Sequence, residues 1–416
     1  MKIKRNKVDI SIFIIMLISG AVPYLAYTIA ALKSNTTLIG SITEYNIAVS
    51  QLGVNFVYLK DITAMLLFIV LLPKLDIRGY RILVACLLIM AYGLAGLLIT
   101  GRVELAYIIA GIRTYIFILV VSLFYMVHEK YLTSDDGLNM VNLYIKFCIF
   151  LEFAIVMIQV VTSDSLSRFG NGGYRFIGGF AGSGNLGCFS IATVTYLTIM
   201  HLCYKKISNL EFIVFMFMNV FIVAASGTRT AIVIVVVYVL YVMIKMLGAH
   251  LNRSLIYGLF GFFIVSIGPF FLNYLVSRTG RGEFIDSGSG RSIIFSNLFS
   301  NGTTFEVIFG RGFGFGTNAS VALNATGTQV SDATFNLVMG QFGLIGLMVF
   351  LVTLLYLFNK IIKVSREYFP ISILIISTII ILCLVGNLFE QIEMIIIFTY
   401  SILLFLSTKK AYPKIT

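Results

Sequence analysis

A chain of 416 residues that is 59% hydrophobic and only 12% charged is excluded from the class of ordinary soluble domains, in which about a quarter of residues carry charge. Its 30 Lys and Arg against 18 Asp and Glu leave a net charge of +12, but the cations sit mostly in short loops between apolar runs, which points to membrane topology and away from a nucleic-acid partner. The five cysteines (Cys86, Cys148, Cys188, Cys203 and Cys383) fall in or beside those runs with no CxxC pair, so neither a disulfide framework nor a zinc site is encoded.

A membrane helix needs about 20 mostly apolar residues. Twelve spans are predicted, at about 10–32, 52–73, 82–99, 105–127, 138–162, 184–204, 210–225, 229–247, 254–277, 335–358, 370–387 and 391–407. The basic start MKIKRNK resembles the head of a signal peptide, but the apolar run behind it continues to Leu32, too long for a cleaved one, and reads as an uncleaved anchor. The expected fold is an all-α polytopic membrane protein, one integral-membrane domain over 1–416 with about 12 transmembrane helices. Two connections are long: an outer loop at 163–183, and a large extracytoplasmic loop at 278–334 between spans nine and ten.

Orientation follows the loop cations. With the N-terminus inside, eighteen Lys and Arg lie on the cytoplasmic side, nine lie outside, and Lys60, Arg113 and Lys146 lie within spans. Both termini are therefore expected in the cytoplasm. Thirteen of the inner cations are Lys, whereas eight of the outer nine are Arg: Arg102, Arg168, Arg175, Arg229, Arg278, Arg281, Arg291 and Arg311. Topology needs only positive charge; a planar guanidinium fork suits bidentate grip on phosphate or carboxylate. Two explanations stand: these arginines pair with the nine outer acids, Glu306 and Asp332 among them, or they bind an anionic ligand on the outer face. The whole set favours the ligand.

Charges inside spans are costly and should face the bundle interior or water. Asp61 with Arg113, and Lys146 with Glu152, would balance, either as structural pairs or as ligand contacts; Arg113 is the best ligand candidate among them. The large loop is rich in Gly, Ser, Thr and Asn, has a helix-capable stretch at Arg291–Phe299, and is interrupted by apolar residues such as Val307, Ile308 and Phe309. A lid or cavity wall folded over the outer face is expected, since long structureless loops are uncommon unless functional. Its GRGFGFG run lacks the Lys-Ser/Thr of a P-loop and a βαβ setting, so a flexible re-entrant turn is expected there, and no nucleotide site. All three histidines (His128, His201 and His250) fall at the cytoplasmic side, which removes a His base from an outer reaction. No metal site and no cofactor are expected.

Four local patterns resemble the bacterial O-antigen and capsule polymerase (Wzy-type) family, within the O-antigen polymerase/ligase superfamily. These are YRFIGGFAGSGNLG, with Arg175 and Asn185; ASGTRTA, with Arg229 in the family's Ser-x-Arg place; the large late outer loop; and DATFNLVMGQFGLIGL, where Asp332 stands in the His position of the ligases' His-Asn pattern and Gly343 follows eleven residues on. Arg168 with Gly179, and Arg291 with Gly302, also fit an Arg-x10-Gly pattern described in such polymerases.

The resemblance implies a metal-independent, lipid-linked glycosyltransferase of the bacterial plasma membrane. It would pass a growing glycan from undecaprenyl diphosphate to another lipid-linked repeat unit at the outer face, with membrane lipid around it and a flippase and chain-length regulator as partners. Arg175, Arg229 and Arg291 would stabilise the departing diphosphate, with Arg168, Arg278 and Arg113 in reserve, and Asp332 would take or orient the acceptor's proton. The alternatives are a flippase or other transporter for lipid-linked oligosaccharide, and a ligase-type transferase, against which the absent His speaks.

Overall fold

Helix ends in this chain fall where apolar runs meet residues that satisfy free backbone groups. The computed structural model describes residues 57–161, 167–169, 173–175, 178, 183–247, 302–317, 319–320, 323, 325, 333–364, 368–385 and 392–411. In chain order these form α1 (Val57–Leu71), a 3-10 turn (Leu72–Lys74), α2 (Ile77–Ile99), α3 (Leu105–Leu132) and α4 (Asp135–Val161). A hairpin of β1 (Ser167–Phe169) and β2 (Gly173–Arg175) follows, then α5 (Ser183–Leu202), α6 (Asn209–Ser226) and α7 (Arg229–Leu247). The later part holds α8 (Thr304–Phe309), α9 (Thr334–Ile362), α10 (Phe369–Val385) and α11 (Ile392–Ala411).

Six of these, α2 to α6 and α9, are long and apolar enough to cross a membrane, so the chain is a helical membrane protein. Predicted spans coincide with α1 to α7 and α9 to α11; those at 10–32 and 254–277 lie outside the described residues. The ends differ for physical reasons. Asp76 caps α2, its carboxylate accepting from Gly79 N at 2.8 Å, so the helix begins before the apolar run and carries Arg78 and Arg81. A Ser208–Glu211 capping box starts α6, and Gly227 in the left-handed region stops it. The hairpin, with Arg168 opposite Tyr174 and Arg175 opposite Ser167, lies within the connection expected at 163–183.

Two compact units divide at Val141 and Asn142, inside α4. In the first, α3 receives α1, α2 and α11, while α9 receives α2, α8 and α10. Tyr125 donates to Ile396 O at 2.7 Å and Tyr400 to Leu132 O at 2.9 Å, joining α3 to α11. In the second unit, α6 and α7 pack against α5, whose residues from Leu186 to Met200 are all buried. Lipid tails are as apolar as leucine, so packing and polar contacts must hold such helices together. Here α5 supplies buried Ser190, Thr193, Thr195 and Thr198; the Thr193 hydroxyl reaches Asn219 Oδ1 on α6, and Thr195 lies 3.2 Å from the Tyr238 hydroxyl on α7.

Asn219→Leu is expected to cost about 1 kcal/mol, because Thr193 keeps its bond to the Phe189 carbonyl when the partner is lost. Thermal unfolding of the purified chain in detergent measures this; a loss above about 3 kcal/mol would mean the asparagine also supports something else.

Candidate functional site

The segments carrying the candidate residues of the second unit meet at one end of it. α5 opens beside α7: a Cβ on Gly187 would lie 2.9 Å from Thr228 and 3.0 Å from Ala231, which bracket Arg229 and Thr230. The α6–α7 turn that delivers Arg229 is two residues long, and Ser226 Oγ accepts from Thr228 N at 3.2 Å. Asn185, partly exposed, lies in the first turn of α5. Behind the hairpin, Gln159 at the end of α4 clasps Gly178, its amide donating to Gly178 O at 2.9 Å and its carbonyl accepting from Gly178 N at 3.0 Å. A Cβ on Gly178 would lie 2.7 Å from Glu152 Oε2 and 2.8 Å from Leu186. These contacts set Gly178, three residues after the hairpin, beside the start of α5, which carries Asn185, and set the start of α5 beside the start of α7, which carries Arg229.

The remaining candidates stand elsewhere. Arg113 is in the first unit, its Nε 3.2 Å from Asp61 Oδ2, the pair that charge balance predicts. Arg278, Arg291 and Asp332 lie outside the described residues. Lys146 is a correction: it pairs with Glu211 of α6 at 3.0 Å, while Glu152 packs beside Gly178 and Leu186. Residues six apart on a helix do not share a face; only three and four apart meet.

The GRGFGFG segment is a packed insertion in place of the flexible turn expected. Phe313 is fully buried in a slot made by Gly93 of α2 and Gly111 of α3, and its ring stacks on Tyr115 at 5.4 Å. Helix α9 breaks at Gly343 (φ 64°, ψ −160°), and the carbonyls freed there turn to this segment. Arg311 N donates to Gly340 O at 2.8 Å and Gly312 N to Gln341 O at 3.1 Å, while Phe313 N bonds Gly93 O at 2.9 Å. The Gln341 side chain closes the loop, donating to Phe315 O at 2.9 Å and accepting from the Tyr115 hydroxyl at 2.7 Å. The backbone N–H groups of Arg311, Gly312 and Phe313 are thus spent on protein carbonyls, and the described part of the large loop is built into the helix packing of its unit.

This insertion brings together Arg102 and Arg311, which no sequence motif singles out as site residues. α2 ends in a Schellman motif: Gly101 (φ 67°) donates to Leu98 O and Arg102 N to Leu97 O at 3.0 Å, which projects Arg102 just past the helix. A Cβ on Gly96 would touch Gly312 Cα at 3.1 Å, so the same helix end docks on the loop bearing Arg311. Both guanidiniums approach Glu306 Oε1, Arg102 Nη2 at 3.4 Å and Arg311 Nε at 3.6 Å. They also lie over the Phe315 ring, 5.9 and 5.2 Å from its centre. The local signals were in the chain: Thr-Gly-Arg after an apolar run, and the Thr303-x-x-Glu306 capping box. Their meeting was not. Among the described residues no group of three His, Cys, Asp or Glu side chains is placed to hold a metal. No protein-family model matches the chain, and a search of curated proteins finds no match either.

Proposed function

We propose that this protein polymerises lipid-linked glycan repeat units at the outer face of a bacterial plasma membrane. In this reading twelve spans hold both termini in the cytoplasm, and the protein transfers the glycan from one undecaprenyl diphosphate to a hydroxyl on another lipid-linked repeat unit, without a metal. The observation that supports the reading is the meeting of the starts of α5 and α7, which carry Asn185 and Arg229, with Gly178, three residues after Arg175, beside the start of α5. Fixed guanidiniums do the work of a metal by stabilising the charge that develops on a departing diphosphate. The family resemblance gives Arg291 and Arg278 the same role toward the diphosphate. Asp332 takes the acceptor's proton, or orients the hydroxyl, as the sugar–phosphate bond breaks and the new glycosidic bond forms.

A carrier for lipid-linked oligosaccharide is the second reading, favoured by the break in α9, since broken helices often line transport sites. The carbonyls at that break already accept from Arg311 N, Gly312 N and the Tyr92 hydroxyl, which leaves them engaged by protein donors. Deleting the gene in its own host and resolving surface glycan on a gel separates the two. The polymerase reading expects single repeat units exposed on the outer leaflet, with the ladder restored by the wild-type chain. Repeat units trapped on the cytoplasmic leaflet would establish the carrier instead.

A further inference from the structure

The geometry points to a phosphate-binding site of its own at Arg102 and Arg311, one that nothing in the polymerase scheme uses. Three features of the cluster carry it. The first is charge. Two guanidiniums share a single carboxylate, so the cluster of Arg102, Arg311 and Glu306 keeps one net positive charge in a half-buried setting, where a charge is poorly screened.

The second is unfilled hydrogen-bonding capacity. Glu306 is the third helical residue of α8, and its Oε2 is committed to the capping box, accepting from Thr303 N at 3.1 Å. Only Oε1 faces the arginines, and it is 3.4 and 3.6 Å from them, whereas strong guanidinium–carboxylate bonds measure about 2.7–2.9 Å. Each guanidinium carries five N–H donors. Among the described residues, the buried Nε atoms of both Arg102 and Arg311 have no hydrogen-bond partner. The helix end beside them does not fill the gap, because Leu97 O and Leu98 O are taken by Arg102 N and Gly101 N. One oxygen cannot satisfy two forks that converge on it. An anion with several acceptor oxygens can, and the phosphate of a phosphodiester, a phosphomonoester or a diphosphate is such a group.

The third is the surround. Leu98, Ile99, Val103 and Leu105, which flank Arg102 in sequence, are exposed apolar side chains, a surface that suits acyl or polyprenyl chains. The phosphate is therefore expected on a lipid, with a free phosphate as the other source of the same chemistry. Phe315, stacked at 6.3 Å on Tyr107, lies within cation–π reach of both guanidiniums.

Glu306 then acts as an internal competitor. Replacing it by Gln retains the capping box, which Gln also supports, while removing the negative charge. This gives the test a sign that a structural ion pair cannot copy. Full-length protein is reconstituted in phosphatidylcholine nanodiscs, with and without phosphatidylglycerol, and titrated with inorganic pyrophosphate while thermal unfolding is followed. The wild type is expected to bind saturably, more weakly as salt rises; Arg102→Gln and Arg311→Gln are expected to lose about tenfold or more in affinity, and Glu306→Gln to gain severalfold. Stabilisation by phosphatidylglycerol that excludes pyrophosphate assigns the site to a lipid headgroup; pyrophosphate binding unaffected by that lipid assigns it to a free phosphate, and both support the site. Absence of saturable binding from either source overturns it, as does an affinity unchanged or lowered in Glu306→Gln. A chain that elongates glycan normally yet binds no phosphate here would defeat this proposal and leave the polymerase reading standing.

Discussion

Alanine at Gly343 is expected to leave little folded protein in the membrane, at a cost of more than about 3 kcal/mol. The backbone there has φ 64° and ψ −160°, a conformation essentially reserved for glycine. A Cβ would also fall against the Ile308 carbonyl and come within 2.5 Å of Gly310 N, backbone atoms that cannot swing aside. The damage would spread, because the break at Gly343 turns the carbonyls of Gly340 and Gln341 toward the inserted loop that carries Phe313. Gly340→Ala, in the regular helix before the break, would meet only the Phe315 ring at 3.3 Å and is expected to shift stability by no more than about 1 kcal/mol either way. Unfolding midpoints of the two variants in detergent make the comparison. Equal stability of Gly343→Ala and wild type would show that α9 can run straight.

Arg229→Ala and Arg291→Ala are each expected to reduce polymer per lipid-linked repeat unit by about a hundredfold or more, the usual size of a lost charge-stabilising donor at a developing anion. Both proteins should reach the membrane in normal amount, with single repeat units accumulating on lipid. Arg229 opens α7 directly after the turn held by Ser226, beside the first turn of α5, so its place does not depend on its own side chain. Lysine at either position keeps the charge but loses the fork, and an intermediate ladder is expected. Lys363→Ala, an exposed cation just past α9, should leave the ladder intact. Wild-type ladders from both alanine variants would remove the arginines from the reaction.

Helix positions were largely legible because apolar length is a local property. The predicted span 229–247 coincides with α7, and 335–358 lies within α9. Boundaries slipped where a helix outran its apolar stretch, as at Asp76, and where the polar residues His128, Glu129 and Lys130 continue α3 to Leu132. The break inside α9 could not be read, since a glycine in an apolar run looks the same whether its φ is negative or positive. Nor could the hairpin at 167–175, whose strands of three residues each fall below any periodic signal. Lys146 was assigned to a nearby acid of its own helix, but its partner is a residue 65 positions away on α6.

From composition and apolar patterning alone come the membrane setting and the run of helices, because each depends on residues close together in the chain. Which arginines share a neighbour is a different matter. Arg102 and Arg311 are separated by 209 positions in the sequence, and they meet because Gly96 and Gly312 allow two backbones to touch and because Gly343 breaks α9 to receive the loop. Close backbone approach and a positive φ are properties of the folded packing, and no local pattern of side chains encodes the partner across the gap.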